Sequence, residues 1–363
     1  MDIKDVLNLV RGDVRAMKAY SSARSLTDGQ AQAGVSPVFF DANESPVEPF
    51  PGGTGLNRYE SQQPSEVLNQ LAALYKVDPQ NIMMTRGSDE AIDIIIRAFC
   101  QPGTQDAILN TPPTFGMYAQ YAAVNATPVH SVSLDPYSFA LKKDDIIAAA
   151  NGQNHIKVVF LCSPNNPTGT LINQKDLIDV IQKSKAIVVV DEAYIEFCDE
   201  QKLLSLLPFN PQLILLRTMS KARALAGARL GCAIGHKDVM TYLRKVLPPY
   251  PMTRPVMDVA LRALSPEHQT QLENIRKIII EERERMTLAL NGSLDVERVW
   301  PSATNFLLVE VKDAAKMMAK AAAAGVVLRD MSAQIPRAIR VTLGLPDQNN
   351  RLLDAWGISV QST

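Results

Sequence analysis

The stretch Thr218-Met219-Ser220-Lys221-Ala222-Arg223-Ala224-Leu225-Ala226-Gly227-Ala228-Arg229-Leu230-Gly231 decides how the rest of the chain is read. An apolar run at 213–216 precedes it and reads as a short buried strand; a second strand-like run, 231–235, follows. A lysine therefore lies among small residues between two buried strands, and an ammonium without a partner is costly to bury. Chemistry gives a reason for one: a lysine amine can form a Schiff base with a carbonyl, and desolvation lowers its pKa. Taken alone, the pattern fits equally well a loop on which Lys221 and Arg229 are surface charges.

The totals bound the answer. At 363 residues the chain can hold a large domain and a smaller one. A hydrophobic content of 46% and a charged content of 21% are those of an ordinary globular protein. A net charge of -1 gives no reason to expect nucleic acid or an anionic membrane as partner. No apolar run approaches a membrane span, and residues 1–14 do not read as a signal peptide. Cys100, Cys162, Cys198 and Cys232 lack metal-ligand spacing, so no metal is expected; Cys100, Cys162 and Cys232 lie in apolar runs and read as reduced core thiols, and a cytoplasmic location is expected.

Working outward, the run 186–190 is apolar and ends in Asp191-Glu192-Ala193-Tyr194. The carboxyl end of a buried strand is where α/β sheets place ligand groups, although Asp191 could also be a helix cap. Upstream, a strand at 158–161 ends in Asn165-Asn166-Pro167-Thr168-Gly169, a tight turn on composition, ahead of a helix at 174–183. A strand at 107–110 leads to Thr111-Pro112-Pro113-Thr114-Phe115-Gly116-Met117-Tyr118, a rigid turn into a helix. A strand at 82–85 leads through Gly87-Ser88-Asp89-Glu90 into an apolar helix at 91–100. Free N–H groups and a dipole end at such a start suit an anion, while an N-cap by Ser88 needs none.

The remaining elements are read more simply. Helices are expected at 3–10, 64–75, 142–150 and 237–246, with strands at 38–41 and 127–133. Ala19-Tyr20-Ser21-Ser22-Ala23-Arg24, Asn43-Glu44-Ser45-Pro46 and Asn57-Arg58-Tyr59 read as turn and loop chemistry. Pro248-Pro249-Tyr250-Pro251 makes a rigid connection and marks the domain boundary. Beyond it come a long charged helix at 266–290, strands at 305–311, 326–329 and 338–343, and helices at 314–324 and 347–356. Strands alternate with helices through 38–235, which argues an α/β domain with a mainly parallel sheet. The expected division is an N-terminal arm at 1–37, a large domain at 38–247 and a smaller α+β domain at 248–363.

In this order the patterns resemble the fold-type-I aminotransferases that use pyridoxal 5'-phosphate, over nearly the whole chain. The Tyr20 to Arg24 segment is similar to that of the histidinol-phosphate enzymes among them. The resemblance implies a seven-stranded, mainly parallel sheet and a homodimer. It implies that Lys221 holds the cofactor aldehyde and later moves the substrate proton. Asp191 would face the pyridine nitrogen, Asn166 and Tyr194 the phenolate oxygen, and Phe115 the ring. Gly87, Ser88, Asp89, Ser220 and Arg229 would hold the phosphate, with Tyr59 reaching it from the neighbouring subunit.

Tyr20, Asn43, Asn166, Arg329 and Arg340 would bind substrate, the arginines because a guanidinium fork suits both carboxylate and phosphate. Alone, Arg329 reads as a surface charge. The implied reaction exchanges an amino group between L-histidinol phosphate and 2-oxoglutarate in L-histidine biosynthesis. Aromatic amino acid aminotransferases and threonine-phosphate decarboxylases share the pattern. A non-catalytic regulator is disfavoured, because Lys221 and Asp191 are both present and the residues before Asp41 are too few for a DNA-binding domain. Arg223 stands where this family usually has an aromatic or apolar residue.

Overall fold

A computed structural model describes residues 1–18, 38, 40–152, 155–198 and 203–358. Seven strands form the first sheet: β1 (Ile82–Thr85), β2 (Ala107–Asn110), β3 (Val129–Ser131), β4 (Ile156–Cys162), β5 (Ile187–Asp191), β6 (Leu213–Thr218) and β7 (Gly231–Gly235). Their order is β1-β7-β6-β5-β4-β2-β3; β7 runs antiparallel to both neighbours, and the pairs from β6 to β3 are parallel. The sheet is mainly parallel, as the alternation of elements predicts.

Side chains alternate across it with period two, so each central strand feeds two cores. Val158, Phe160, Ile187, Val189, Ile214 and Leu216 meet the helices Gly87–Phe99, Met117–Val124 and Lys237–Val246 on one face. Val159, Leu161, Val188, Val190, Leu213 and Leu215 meet Ser65–Tyr75 and Gln174–Lys183 on the other. Burial on both faces explains why these strands read as unbroken apolar runs.

A second, wholly antiparallel sheet follows, with order β10-β11-β9-β8 from β8 (Val296–Val299), β9 (Phe306–Val311), β10 (Arg329–Asp330) and β11 (Ala338–Thr342). Its core joins Leu307 and Val309 to Met286 and Leu290 of the helix Pro266–Asn291, and to Leu353 and Trp356 of Pro346–Trp356.

Several expectations change. The helix Gly87–Phe99 starts at Gly87 itself, so Gly87, Ser88 and Asp89 form its first turn rather than a loop ahead of it. A helix at Arg254–Ala263 occupies a stretch to which the sequence reading gave no element; Met257 and Ala260 pack into the core that contains Val67 and Leu71. Residues 38, 40 and 41 are not strand, and Val38 and Phe40 are 76% and 94% exposed, so no described residue covers these apolar side chains. The strand expected at 326–329 reduces to β10, because only Arg329 and Asp330 find partners on β11. Val327 is 96% exposed instead. β8, half of it exposed, had no apolar pattern to announce it.

Candidate active site

β4, β5 and β6 end side by side, and their carboxyl ends floor a cavity of about 520 Å³. Ser88, Asp89, Phe115, Asn166, Asp191, Tyr194, Ser220, Lys221, Arg229, Arg329 and Arg340, each singled out from the sequence, line it. Asp191, the last residue of β5, is 3% exposed. Its Oδ2 accepts a 2.8 Å hydrogen bond from the Tyr118 hydroxyl and its Oδ1 one of 3.1 Å from the Ala193 N–H. Burial pushes its pKa up to about 6, while these hydrogen bonds pull against the rise.

Strand alternation sends the next residue to the opposite face. There Glu192 Oε2 meets Arg217 Nη2 at 2.6 Å and Arg217 Nε at 2.8 Å, and the pair ties β5 to β6 beneath the site. Both partners are buried, so removing one would cost about 3–5 kcal/mol.

Lys221 follows β6 on a turn and is not buried between strands, as its sequence setting suggested; it is exposed to the open cavity. The small residues around it clear that access. Its Nζ lies 5.7 Å from the centroid of the Tyr194 ring. Desolvation, then the Arg340 charge, lowers its pKa, which raises the fraction of free amine at neutral pH.

Arg340 Nη1 donates to Asn166 Oδ1 at 2.5 Å, an orientation that leaves the Asn166 Nδ2 as the donor on the other side of the amide. Arg329 pairs with Arg340 in register across β10 and β11, so the two guanidinium side chains come from adjacent strands to one cavity. Arg329 is thus a lining residue, although it is exposed.

The start of the helix Gly87–Phe99, the candidate anion cup, is built by close approach. Gly87 has φ +77°, and a Cβ there would stand 2.6 Å from Arg229 Nη2. Arg229, itself at φ 55°, donates to Asp89 Oδ2 at 3.2 Å. On the far side a Cβ at Gly231 would lie 2.6 Å from the Ser88 nitrogen. The Thr218 and Ser220 hydroxyls are 3.0 Å apart at the end of β6.

Gly87→Ala is therefore expected to destabilise the protein by about 1–2 kcal/mol from the left-handed backbone alone. Displacing Arg229 should also weaken phosphate-ester binding about tenfold, as the loss of one charge-assisted contact would. Thermal melts and a pyridoxal phosphate titration would check both; unchanged affinity would show that Arg229 is not part of the cup.

Asn43 and Tyr59 do not line this cavity, and Tyr20 lies outside the described residues. The two loop motifs nevertheless come together: Arg58 Nη1 reaches Glu44 Oε2 at 2.8 Å, and the Tyr59 N–H reaches Glu44 Oε1 at 2.6 Å. Tyr59 is 51% exposed and stacks on Tyr250 at 4.3 Å. Tyr118 is the residue that sequence reasoning missed. A tyrosine three residues after Phe115, on the face that enters the core, needs a partner for its hydroxyl, and that partner is Asp191.

A lysine amine and a buried carboxylate meet at the carboxyl ends of a mainly parallel sheet, the arrangement of an α/β enzyme with its site at the strand ends. The chain belongs to the aminotransferase class I and II family, whose model matches residues 26–355. It is similar to histidinol-phosphate aminotransferase 1 of Pasteurella multocida, 38% identical over 356 residues covering 96% of this chain and 98% of that protein. The histidinol-phosphate aminotransferase of Stenotrophomonas maltophilia is 40% identical over 360 residues, covering 98% and 97% of the two chains. In fold it is similar to the crystal structure of histidinol-phosphate aminotransferase from Sinorhizobium meliloti in complex with pyridoxal-5'-phosphate. That match has a TM-score of 0.74 at 22% identity, over 94% and 95% of the two chains.

Proposed function

We propose that the chain transfers an amino group between L-histidinol phosphate and 2-oxoglutarate in L-histidine biosynthesis, with pyridoxal 5'-phosphate as cofactor. One observation in the geometry carries the substrate reading: Arg329 and Arg340 stand on adjacent strands above a cavity that also has a separate anion cup. A substrate pair in which one member is a phosphate ester and the other a dicarboxylate needs a second cationic site besides the one that holds a cofactor phosphate.

The residues fit the cofactor. Gly87 leaves the space in which Arg229 lies across the start of a helix, where backbone N–H groups favour an anion. Asp191 is a carboxylate whose pKa burial raises against the pull of its hydrogen bonds and of the Lys221 charge, and a protonated pyridine nitrogen would be a further partner for it. When bound, the cofactor supplies an electron sink for a carbanion at the substrate carbon.

The chain's own groups do the rest. Lys221 Nζ, with its lowered pKa, would take the proton from the substrate α-carbon and deliver it to the aldehyde-derived carbon of the cofactor. Asp191, its Oδ2 fixed by Tyr118, would hold the proton on the pyridine nitrogen. The Asn166 Nδ2 and the Tyr194 hydroxyl would donate to the phenolate oxygen of the cofactor, and Phe115 would cover its ring. Gly87, Ser88, Asp89, Ser220 and Arg229 build the phosphate cup, and Arg329 and Arg340 clamp the anionic end of each substrate.

The active unit in this reading is a homodimer. Phe40, Val47, Phe50, Leu56 and Tyr59 form an exposed apolar segment that a second copy would cover, bringing Tyr59 to the neighbouring phosphate cup and Tyr20 and Asn43 to the substrate. Sedimentation should give twice the chain mass, and a monomer at working concentration would remove the role of Tyr59. Among the described residues no helix is long and apolar enough to cross a membrane. The four free thiols fit a cytoplasmic location.

Substrate choice is tested by steady-state kinetics. The ratio kcat/KM for histidinol phosphate should exceed that for phenylalanine at least 10²-fold, the scale on which unpaired guanidinium groups discriminate. Equal ratios would favour an aromatic aminotransferase.

A further inference from the structure

The sequence left Arg223 without a role, and the structure turns it away from the cavity. The turn after β6 is closed by hydrogen bonds from Ala224 N to Lys221 O at 3.0 Å and from Leu225 N to Met219 O at 2.9 Å. Lys221 leaves this turn towards the Tyr194 ring. Arg223 leaves it in another direction, and its Nη1 donates to Gln269 Oε1 on the helix Pro266–Asn291. The acceptor is held in place, because Gln269 Nε2 donates to Ala263 O at 2.8 Å and so turns Oε1 towards Arg223.

The same helix grips the segment that delivers Tyr194. Arg276 Nη1 donates to Glu196 O at 2.9 Å, and Arg283 Nη1 to Phe197 O at 3.2 Å and Thr304 O at 3.0 Å. Between helix and turn lies a cleft of about 240 Å³ lined by Glu196, Arg223 and Arg276. Arg223 Nε and Glu196 Oε1 are buried there without a hydrogen-bond partner among the described residues. Further along, Met286 and Leu290 of this helix are core residues of the second sheet.

We propose that Arg223 is a positioning residue: through Gln269 it tethers the Lys221 turn to the helix that also grips the Tyr194 segment and carries the second domain. The inference rests on Lys221 being the amine that binds the cofactor and moves the proton. One residue, Ala222, separates Arg223 from Lys221, so slack at Arg223 becomes displacement at Nζ, and proton transfer is sensitive to ångström-scale misplacement. The tether also lets movement of the second domain reach the lysine directly, without passing through the sheet.

The test uses the holoenzyme of Arg223→Met, Gln269→Leu and the double variant. Each is measured for the circular dichroism of the cofactor band per unit absorbance, the isotope effect with an α-deuterated amino donor, and kcat and KM. Each single variant should lower kcat about tenfold with little change in KM, raise the isotope effect and alter the dichroism. The double variant should be no worse than the worse single, because both substitutions cut one tether. Losses that multiply in the double variant would overturn the proposal. So would a lowered thermal midpoint with dichroism and isotope effect unchanged, which is what a merely structural role produces. Should Arg223→Met fail to fold, Gln269→Leu alone decides. A wild-type protein with no visible cofactor band would sink the cofactor reading itself, and the tether with it.

Discussion

Lys221→Ala is expected to lower kcat roughly 10⁴-fold or more while the protein keeps its fold, because general acid–base transfer alone contributes about 10²–10⁴ and, in the proposed reading, the amine also holds the cofactor. The expectation follows from the pocket. Lys221 is the lysine in its lining; the Tyr194 hydroxyl nearby is held protonated by burial, and the arginines have no basic lone pair to offer. Far-ultraviolet circular dichroism should not change, since Lys221 is exposed to the cavity and no core packing depends on it. A variant that keeps multiple turnover near the wild-type rate would end the assignment.

Asp191→Ala should lose about 10²–10³-fold in kcat, the scale of a preorganised electrostatic partner, whereas Phe115→Tyr keeps a flat ring and should stay within about threefold. Comparable losses in the two would argue against a role for Asp191 at the pyridine nitrogen.

The same carboxylate predicts a pH effect on the apoprotein. Its pKa is raised from 3.8 to about 6, so between those values the folded state binds more protons than the unfolded one. Stability must then fall as pH rises through that window, by about 3 kcal/mol for a shift of this size. Asp191→Asn lacks the titration, so its stability relative to wild type should rise by about that amount between pH 4 and pH 7. Denaturant melts of the two apoproteins would show it; a difference independent of pH would mean that the buried carboxylate is compensated within the protein.

Much of the site was legible because its residues stand at strand ends, and buried strands announce themselves. The apolar runs before Asp191, Asn166 and Lys221 are β5, β4 and β6, and parallel pairing brings their ends together. What could not be read from local pattern was direction and depth. The exposure of Lys221, the turn of Arg223 towards Gln269 and the Glu192–Arg217 pair all depend on which face a side chain meets after folding.

Val38 and Phe40 mislead for a related reason, since apolar alternation says that a segment is covered without saying by what. The helix Arg254–Ala263 was hidden by the prolines before it. Pro255 in its first turn and the buried spacing of Met257 and Ala260 were the available signals.

The central claim is that Lys221 carries a cofactor that exchanges an amino group with histidinol phosphate. Absorbance spectra of the purified protein with pyridoxal phosphate, before and after addition of histidinol phosphate, test it most directly. The account predicts a visible band that histidinol phosphate converts to a near-ultraviolet one and that 2-oxoglutarate restores. A visible band indifferent to histidinol phosphate would contradict the substrate reading. The lack of any visible band would contradict the role of Lys221.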